Sequence, residues 1–570
     1  MRPLPLDPSF DVPYDEAKYG NYLRDSLKID HLSATQQAQL ISLIKRKWGV
    51  FRPEGMSIPV ADYECHIDTG TSPPVRSKRV HFGPNESRVM QPMIDKLEEI
   101  EQIYQIFGGE WLSPALLVPK PHQEDVFHID NYIWRLCINY IGLNRVTKII
   151  TYPIPRCDFA AMISMGRGKF RWLLDAPQGF HQISVDAESQ EKLAFAGPYT
   201  RKYTYRVMPF GPVNGPVTFV IFIYDCKADW DELAIERGID VGNGTDTVII
   251  IDDIHGIAKD WDTALRYLEA MFDVCLRRRL SLNLRKCHLF TPRFEFVGHD
   301  IAEDGNHPAS SKFDLLRRWP NPVTVRDVAS LIGFCQFYAC YIPWLEVRIK
   351  NCRALVAGDY EATIKPESWT VECQNEWEFM KQSILSDPCC AQYNPDLRFY
   401  LKTDFAQVGM GYVGCQPDDD PLSLAAMHRE MAGGPCEFLT NAKDVGAPPR
   451  LRPICMGSRK NKGYELRLHS HLGEAFALDY AINANRLYCW GFRFTNIGDC
   501  YSLKFIMTYE GSNPVILRIQ MRLMLWPVDI THRLRDFNVD GDFMSKLAID
   551  ARFDPLLAKY LATAAELRHK

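Results

Sequence analysis

The stretch Thr247–Ile257, TVIIIDDIHGI, runs β-branched residues into Asp252 and Asp253 and resumes an apolar run at Ile254. That pattern predicts a β-hairpin with two acids at its tip. An acidic pair directly after a buried strand is costly, because desolvated like charges repel and raise each other's pKa. A divalent cation removes that penalty. Upstream, KFRWLLDAPQGFHQI (Lys169–Ile183) ends an apolar strand at Asp175. Aspartates from two strands can clamp two metals ~3.5–4 Å apart, the usual means of activating a 3′-hydroxyl and stabilising a diphosphate leaving group. Adjacent strand residues face opposite ways, which assigns Asp175 and Asp252 to a shared metal core and Asp253 to a supporting role. For either acid site alone, a turn former at a strand end is the plain alternative.

The surrounding composition bounds the reading. At roughly 150 residues per domain, a chain of this length has about four compact units or lobes. Apolar residues make up 46% and charged residues 24% of the 570, so the chain should fold rather than stay disordered. The 66 Lys+Arg against 71 Asp+Glu leave a net −5, which excludes a strongly basic coat and requires local patches for any polyanion partner. The 17 cysteines include no CxxC pair, and the one close pair is adjacent, Cys389-Cys390. Reduced thiols in an intracellular setting are expected. No apolar run approaches the ~20 residues of a membrane helix, and the N-terminal residues do not read as a signal peptide.

Along the chain, residues 1–75 read as a lead-in with one helix, Ser33 to Trp48. Residues 76–300 alternate amphipathic helices (Glu86 to Tyr104, Trp261 to Leu280) with short strands (Ala115 to Val118, Phe170 to Leu174, Val248 to Ile251), an α+β body. Residues 301–395 are mainly helical. A second, α/β domain is expected over 396–550, followed by a tail, 551–570. Within it, about 416–453 reads as an inserted loop, since it carries Asp418-Asp419-Asp420, Gly433-Gly434 and Pro448-Pro449.

The C-terminal domain offers four acids: Asp404 at the end of LRFYLKTD, Glu474 in HLGEAFALDYAI, Asp499 after RFTNIG, and Asp542 in DFNVDGDFMSK. Asp499 and Asp542 could be helix caps and Glu474 a first-turn acid. Leu478 and Ala481, at i+4 and i+7, put Glu474 on an inward face. Between Cys275 and Arg293, the residues Arg277, Arg278, Arg279, Arg285, Lys286 and Arg293 occur with no acid, which fits a phosphate-tracking surface. A merely solvated helix end is the bland alternative.

RLCINYIGLNRVTKIITYPIPRCD (Arg135–Asp158), LLDAPQGFHQI, KLAFAGPYTRKYTYRVMPFGPVNGPVTF (Lys192–Phe219), IIDD, LNLRKCHLFTPRFEFVGH (Leu282–His299) and RRWPNPVTVRDVASLIGFCQFY (Arg317–Tyr338) follow one another in this order. Together they resemble the reverse transcriptase of gypsy-type LTR retrotransposons, over about Ile67 to Ser545. The resemblance implies an α+β right-hand polymerase of fingers, palm, thumb and connection, followed by an α/β ribonuclease H-like domain. It gives Phe180 the role of an aromatic floor that selects deoxynucleotides, Lys120 and Arg135 that of gripping the triphosphate, and Met208-Pro209-Phe210-Gly211 that of lining the nucleotide pocket. It makes Phe296, Val297, Gly298 and His299 the hairpin that positions the primer end, with Arg277, Arg278 and Lys286 on the primer and template. Asp404, Glu474, Asp499 and Asp542 become the ribonuclease H metal ligands, with Ser458–Lys460 upstream of Glu474 and Asp542 set in a His532, Asn538, Ser545 frame.

The implied cofactor is Mg²⁺, two per active site, with Mn²⁺ as a substitute. The implied partners are an RNA template, a DNA primer, dNTPs and an RNA–DNA hybrid, with no membrane. A homo- or heterodimer, a place in a larger polyprotein, and a cytoplasmic, particle-associated or nuclear location are all compatible with it. Ile250, Asn139, Ile141 and Pro212 depart from the family's Tyr, Asp, Arg and Leu, and the insertion lengthens the gap from Asp404 to Glu474. The alternative is a degenerate retroelement product that binds nucleic acid without catalysis. Asp68-Thr69-Gly70 alone is a weak sign of an aspartic protease.

Overall fold

The computed structural model describes residues 12–53, 60–76, 82–119, 133–153, 168–242, 245–342, 344–356, 358–407, 409–439, 449–498 and 500–532. Contacts divide the chain into two units, Met1–Pro292 and Arg293–Lys570. Lys120, Asp499, Asp542, Asn538 and Ser545 lie outside the described residues. No helix among the described residues is long and apolar enough to cross a membrane.

Unit 1 begins with two helices that the sequence reads as a lead-in but that the structure builds into the core. Asp15 caps α1 (Glu16–Ser26), and Ser33 with Gln36 forms a capping box at the start of α2 (Ala34–Arg46). After α2 the chain turns Trp48 inward to 2% exposure. The rings of Tyr14, Tyr19 and Phe51 lie 5.1, 4.9 and 6.1 Å from that indole, and Phe51 meets Phe272 edge-on at 5.3 Å. Backbone bonds from Arg52 N to Leu282 O and from Leu282 N to Val50 O close the seam. Leu40, Leu43 and Ile44 share one apolar cluster with Trp172, Leu174 and Ile254. A five-stranded sheet joins Ile103–Gln105, Lys202–Tyr205, Phe195–Ala196, Ser113–Pro119 and Trp134–Ile138. The helix expected over Glu86 to Tyr104 stops at Glu99, and Ile103–Gln105 is a strand of this sheet paired with Tyr205 to Tyr203.

The second sheet of unit 1 carries β1 (Phe170–Asp175), β2 (Asp246–Ile250), β3 (Asp253–Ala258) and β4 (His288–Leu289), in the antiparallel order β4-β1-β3-β2. Two long helices, α3 (Gly215–Glu236) and α4 (Trp261–Arg278), pack together and against it. Asp260 caps α4 and Arg279, at φ 58, ends it.

Unit 2 opens with the meander β5 (Arg293–Phe296), β6 (His299–Ala302) and β7 (Asn306–Pro308). A helical layer follows, including α5 (Val325–Phe337), whose core holds Leu331, Ile332, Trp377 and Met380. The last sheet contains β8 (Tyr400–Ala406), β9 (Gly409–Pro417), β10 (Leu451–Lys460), β11 (Phe494–Gly498) and β12 (Val528–His532), in the order β10-β9-β8-β11-β12. Strand β8 is antiparallel to β9 and parallel to β11.

The loop expected over 416–453 is corrected: it contains a helix, α6 (Pro421–Met431), and both flanking strands reach into it. Asp420 accepts from the Leu422 and Ser423 amides, with Pro421 at the first helical position. What reads as an acidic run is therefore a helix start. Tyr400 ties the helix to the sheet by donating from its hydroxyl to Glu430 at 2.9 Å.

Because Trp48 fills the middle of the unit 1 core, Trp48→Ala should destabilise unit 1 by about 3–5 kcal/mol. This would be read as a lower denaturation midpoint with unchanged slope. A lead-in lying outside the core would leave the midpoint where it is.

Two candidate carboxylate centres

The first centre stands at the free end of the β1–β3 ladder. Asp253, the first residue of β3, is the Cα partner of Asp175, the last residue of β1. Directly opposed residues share a sheet face, so Asp253 stands beside Asp175. Ile250 pairs with Asp253, which leaves Ile251 and Asp252 as a two-residue turn. The facing rule that separates Asp252 from Asp253 in the sequence does not extend into this turn. Ile251 has φ 52, a costly conformation for a β-branched residue and of a kind that gathers at functional sites.

Burial pushes the Asp175 carboxyl above its ordinary pKa, and Lys286 opposes the shift from 3.8 Å. Partial desolvation raises Asp252 as well, and the Asp175 charge raises it further. Asp175 Oδ2 is buried and accepts no hydrogen bond among the described residues. The Asn283 amide donates to the Asp175 carbonyl at 2.9 Å and the Asp175 amide to Cys287 Sγ at 3.5 Å, which fixes the strand end against the turn that carries Lys286.

Around this centre Phe180 is 8% exposed, wedged between the rings of Phe210 at 4.9 Å and Phe219 at 5.8 Å, whereas Phe210 is 58% exposed. Arg135 is exposed on the strand Trp134–Ile138. The departures from the family pattern are accommodated locally. Asn139 Oδ1 accepts from the Ile141 amide at 3.0 Å, the Pro212 carbonyl accepts from Gly215 N at 3.0 Å, and Ile250 is buried.

Among the cations expected to form a phosphate-tracking surface between Cys275 and Arg293, Arg278 and Arg293 are bonded to acids of their own unit, whereas Arg285 and Lys286 are exposed. Arg278 Nε donates to Asp229 at 2.6 Å, the Arg285 guanidinium lies 5.3 Å over the Tyr22 ring, and Lys286, its side chain 62% exposed, lies 3.8 Å from Asp175. Arg293 donates to Asp300 at 2.8 Å. Arg277 is exposed. Asp68 of the Asp-Thr-Gly triplet is closed in a turn, accepting from Gly70 N and pairing with Lys148 at 2.7 Å. Both contacts hold its carboxyl below the usual range.

The Phe296 to His299 segment forms the turn between β5 and β6, with Val297 at φ 48 and Gly298 at φ 76. Positive φ at both central residues matches the sense of twist of a tight hairpin. Phe296 and His299 are buried and hold the turn, so any contact surface is its Val297–Gly298 tip. Tyr338 donates to the Gly298 carbonyl at 2.7 Å, His299 Nδ1 meets the Tyr341 hydroxyl at 2.9 Å, and Phe337 stacks on His299 at 5.1 Å. These three aromatics go unassigned in the sequence, although the cluster Phe334, Phe337, Tyr338, Tyr341 signals a packed aromatic edge.

The second centre is in the last sheet. Asp404, near the end of β8, and Glu474, on α7 (Ser470–Ala484), are each 4% exposed. Glu474 Oε1 accepts from the Phe405 amide at 3.1 Å, which places it beside Asp404. Gly473 permits this approach, since a Cβ there would run into the Phe405 ring. Strand β11, which the sequence ends in Asp499, lies next to β8, and Asn496 joins the two by donating to Leu401 O at 2.9 Å and Thr403 Oγ1 at 3.0 Å. In the Ser458–Lys460 segment of β10, Arg459 forks onto Glu465 at 2.7 and 2.8 Å.

Residues 118–301 match the reverse transcriptase (RNA-dependent DNA polymerase) family, and residues 369–429 match the RNase H-like domain found in reverse transcriptase. The chain carries a reverse transcriptase domain followed by an RNase H-like domain. It is similar to the retrovirus-related Pol polyproteins from transposons opus and 412 of Drosophila melanogaster. Each is 24% identical, over 91% and 90% of this chain but only 48% and 37% of the relatives. The chain thus spans less than half the length of these relatives. Among solved structures, the foamy viral protease-reverse transcriptase in complex with RNA/DNA hybrid superposes with a TM-score of 0.67 at 16% identity, over 93% of this chain and 64% of that one. Its complex with dsDNA gives 0.71 at 17% identity, over 92% and 98%. The fold is therefore that of a reverse transcriptase, in keeping with the class read from the sequence.

Since Asp175 and Asp252 both have raised pKa values, the folded reverse transcriptase domain binds their protons more tightly than the unfolded chain. The two acids thus cost stability above their folded pKa, and that cost disappears as pH falls through it. Asp252→Asn should raise the melting temperature of unit 1 in metal-free buffer by a few degrees. The gain should shrink on acidification, as followed by calorimetry at a series of pH values.

Proposed function

We propose that the chain is a retrotransposon reverse transcriptase that extends a DNA primer along RNA or DNA templates and cleaves RNA in RNA–DNA hybrids. The observation that carries this reading is the meeting of Asp175 with Asp252 and Asp253 at the tip of the neighbouring hairpin, with two of them repelling each other.

The donors fit a hard divalent cation such as Mg²⁺. They are all carboxylate oxygens, and Asp175 Oδ2 is buried with no hydrogen bond among the described residues. Asp175, Asp252 and Asp253 would hold it in the polymerase centre, and Asp404 and Glu474 in the RNase H-like centre, with Asp499 and Asp542 added by the family resemblance. When bound, a cation pair supplies the Lewis acidity that activates a 3′-hydroxyl or water and stabilises the leaving oxygen. The chain's own residues orient the reactants. Lys286 offsets part of the acids' charge, and Phe180 and Phe210 form the aromatic wall for the sugar; in unit 2, the family resemblance gives the Val297–Gly298 tip the contact with a primer end. Lys120 and Arg135 remain the proposed triphosphate contacts. A polyprotein context, dimerisation, and a particle-associated cytoplasmic or nuclear location belong to the same proposal.

The rival reading, an inert subunit that binds nucleic acid, draws on Ile250, which buries an aliphatic side chain where the family has a tyrosine. Incubation with a primed RNA template, dNTPs and Mg²⁺ separates the two. The wild-type chain should extend the primer, Asp252→Asn should lose at least about 100-fold of that rate, and Glu474→Gln should lose RNA cleavage alone. Binding of the primed template without extension in either Mg²⁺ or Mn²⁺ would establish the rival.

A further inference from the structure

Outside both carboxylate centres, unit 2 gathers a second kind of donor set. Asp304 lies in the β6–β7 turn and His307 on β7, and Cys389 comes from the adjacent-cysteine pair that the sequence singles out. One ligand atom from each of the three lies within 4.8 Å of the others. Two backbone bonds, Asn306 N to Cys390 O at 2.8 Å and Cys390 N to Asn306 O at 3.0 Å, clamp the two segments together. Gly305 makes the approach possible. It has φ 147, and a Cβ there would lie 2.6 Å from Cys389 Sγ.

The imidazole is fixed at both ring nitrogens by carboxylates, Asp387 at one and Asp304 at the other. The His307 side chain is 2% exposed, and its Nδ1 lies 3.0 Å from Asp387 Oδ1. A carboxylate on one ring nitrogen fixes the ring and raises the basicity of the other. Nε2 is thereby turned towards Asp304 Oδ1, at 3.2 Å. Asp387, at φ 51, adopts a left-handed conformation that Asp visits readily, and Arg293 lies 3.6 Å from the same oxygen.

We propose that Asp304, His307 and Cys389 bind a borderline-soft divalent cation of the Zn²⁺ type, distinct in chemistry from the oxygen-only centres. One nitrogen, one thiolate and one carboxylate select such an ion over Mg²⁺. Thiolate and carboxylate together carry two negative charges, so the loaded site is neutral, and binding releases the protons of the thiol and of Nε2. The Asp304 side chain is 56% exposed and leaves the fourth position to water. The bound ion would pin the β6–β7 turn to the segment leading into the RNase H-like sheet.

The test is a Co²⁺ titration of the full chain in excess Mg²⁺. One equivalent should produce tetrahedral ligand-field bands and a thiolate charge-transfer band, and Zn²⁺ should erase both. Cys389→Ser should abolish the charge-transfer band. Asp387→Asn, at a positioning residue, should weaken binding roughly 10–100-fold, and Cys340→Ser should change neither. Absence of the band in the wild-type chain, or its survival in Cys389→Ser, would overturn the proposal.

Discussion

Asp175 and Asp252 repel each other, and the sheet of unit 1 holds them together regardless. Strand β1 is fixed by β3 on one side and β4 on the other, so Asp175 cannot retreat without breaking a ladder. The Asn283 amide on its carbonyl and its own amide on Cys287 Sγ remove what freedom remains at the strand end. Across from it, the two-residue turn sets Asp252 in place by holding Ile251 in a conformation that β-branched residues avoid. Repulsion and backbone strain are thus concentrated in a few residues, and the apolar core behind them supplies the stability that makes this tolerable. The N-terminal helices belong to that core through Trp48, which explains why they pack against α4 and the Leu282 segment instead of trailing outside it.

Unit 2 reaches a related end by different means. Glu474 is brought to Asp404 by a helix rather than a strand, and the contact is made through the Phe405 amide, so helix position and acid position are one quantity. Gly473 sets that distance. The β5–β6 turn shows the same economy: Tyr338, Tyr341 and Phe337 hold a left-handed pair of residues from behind, leaving only the tip exposed.

The local pattern of the chain carries most of the secondary structure and the polymerase acids. Apolar runs that end in Asp175 and Asp252, helical spacing in α2 and α4, and the inward face of Glu474 are all read from neighbours within a few positions. What stays hidden depends on contacts distant in sequence. Nothing near Arg278 reveals Asp229 on another helix, and nothing near Lys286 reveals Asp175, so a run of cations reads as uniform where the fold treats its members differently. The helix α6 is missed for a different reason, because an Asp-Pro start embedded in an acidic run looks like a turn. Burial of the N-terminal aromatics is equally non-local: Tyr14 and Tyr19 converge on Trp48, and Phe51 on Phe272, only once the chain has folded back.

The matched cations bear on how unit 1 would hold a polyanion. Binding that neutralises phosphates gains from releasing condensed counterions, and its sensitivity to salt grows with the number of charges newly engaged. Arg278, already on Asp229, adds little to that number unless its acid lets go, whereas Arg277, Arg285 and Lys286 are exposed and add to it. A polyanion lying on this surface would then count the exposed cations and not the whole run, and its grip would fall with ionic strength in proportion to that smaller number.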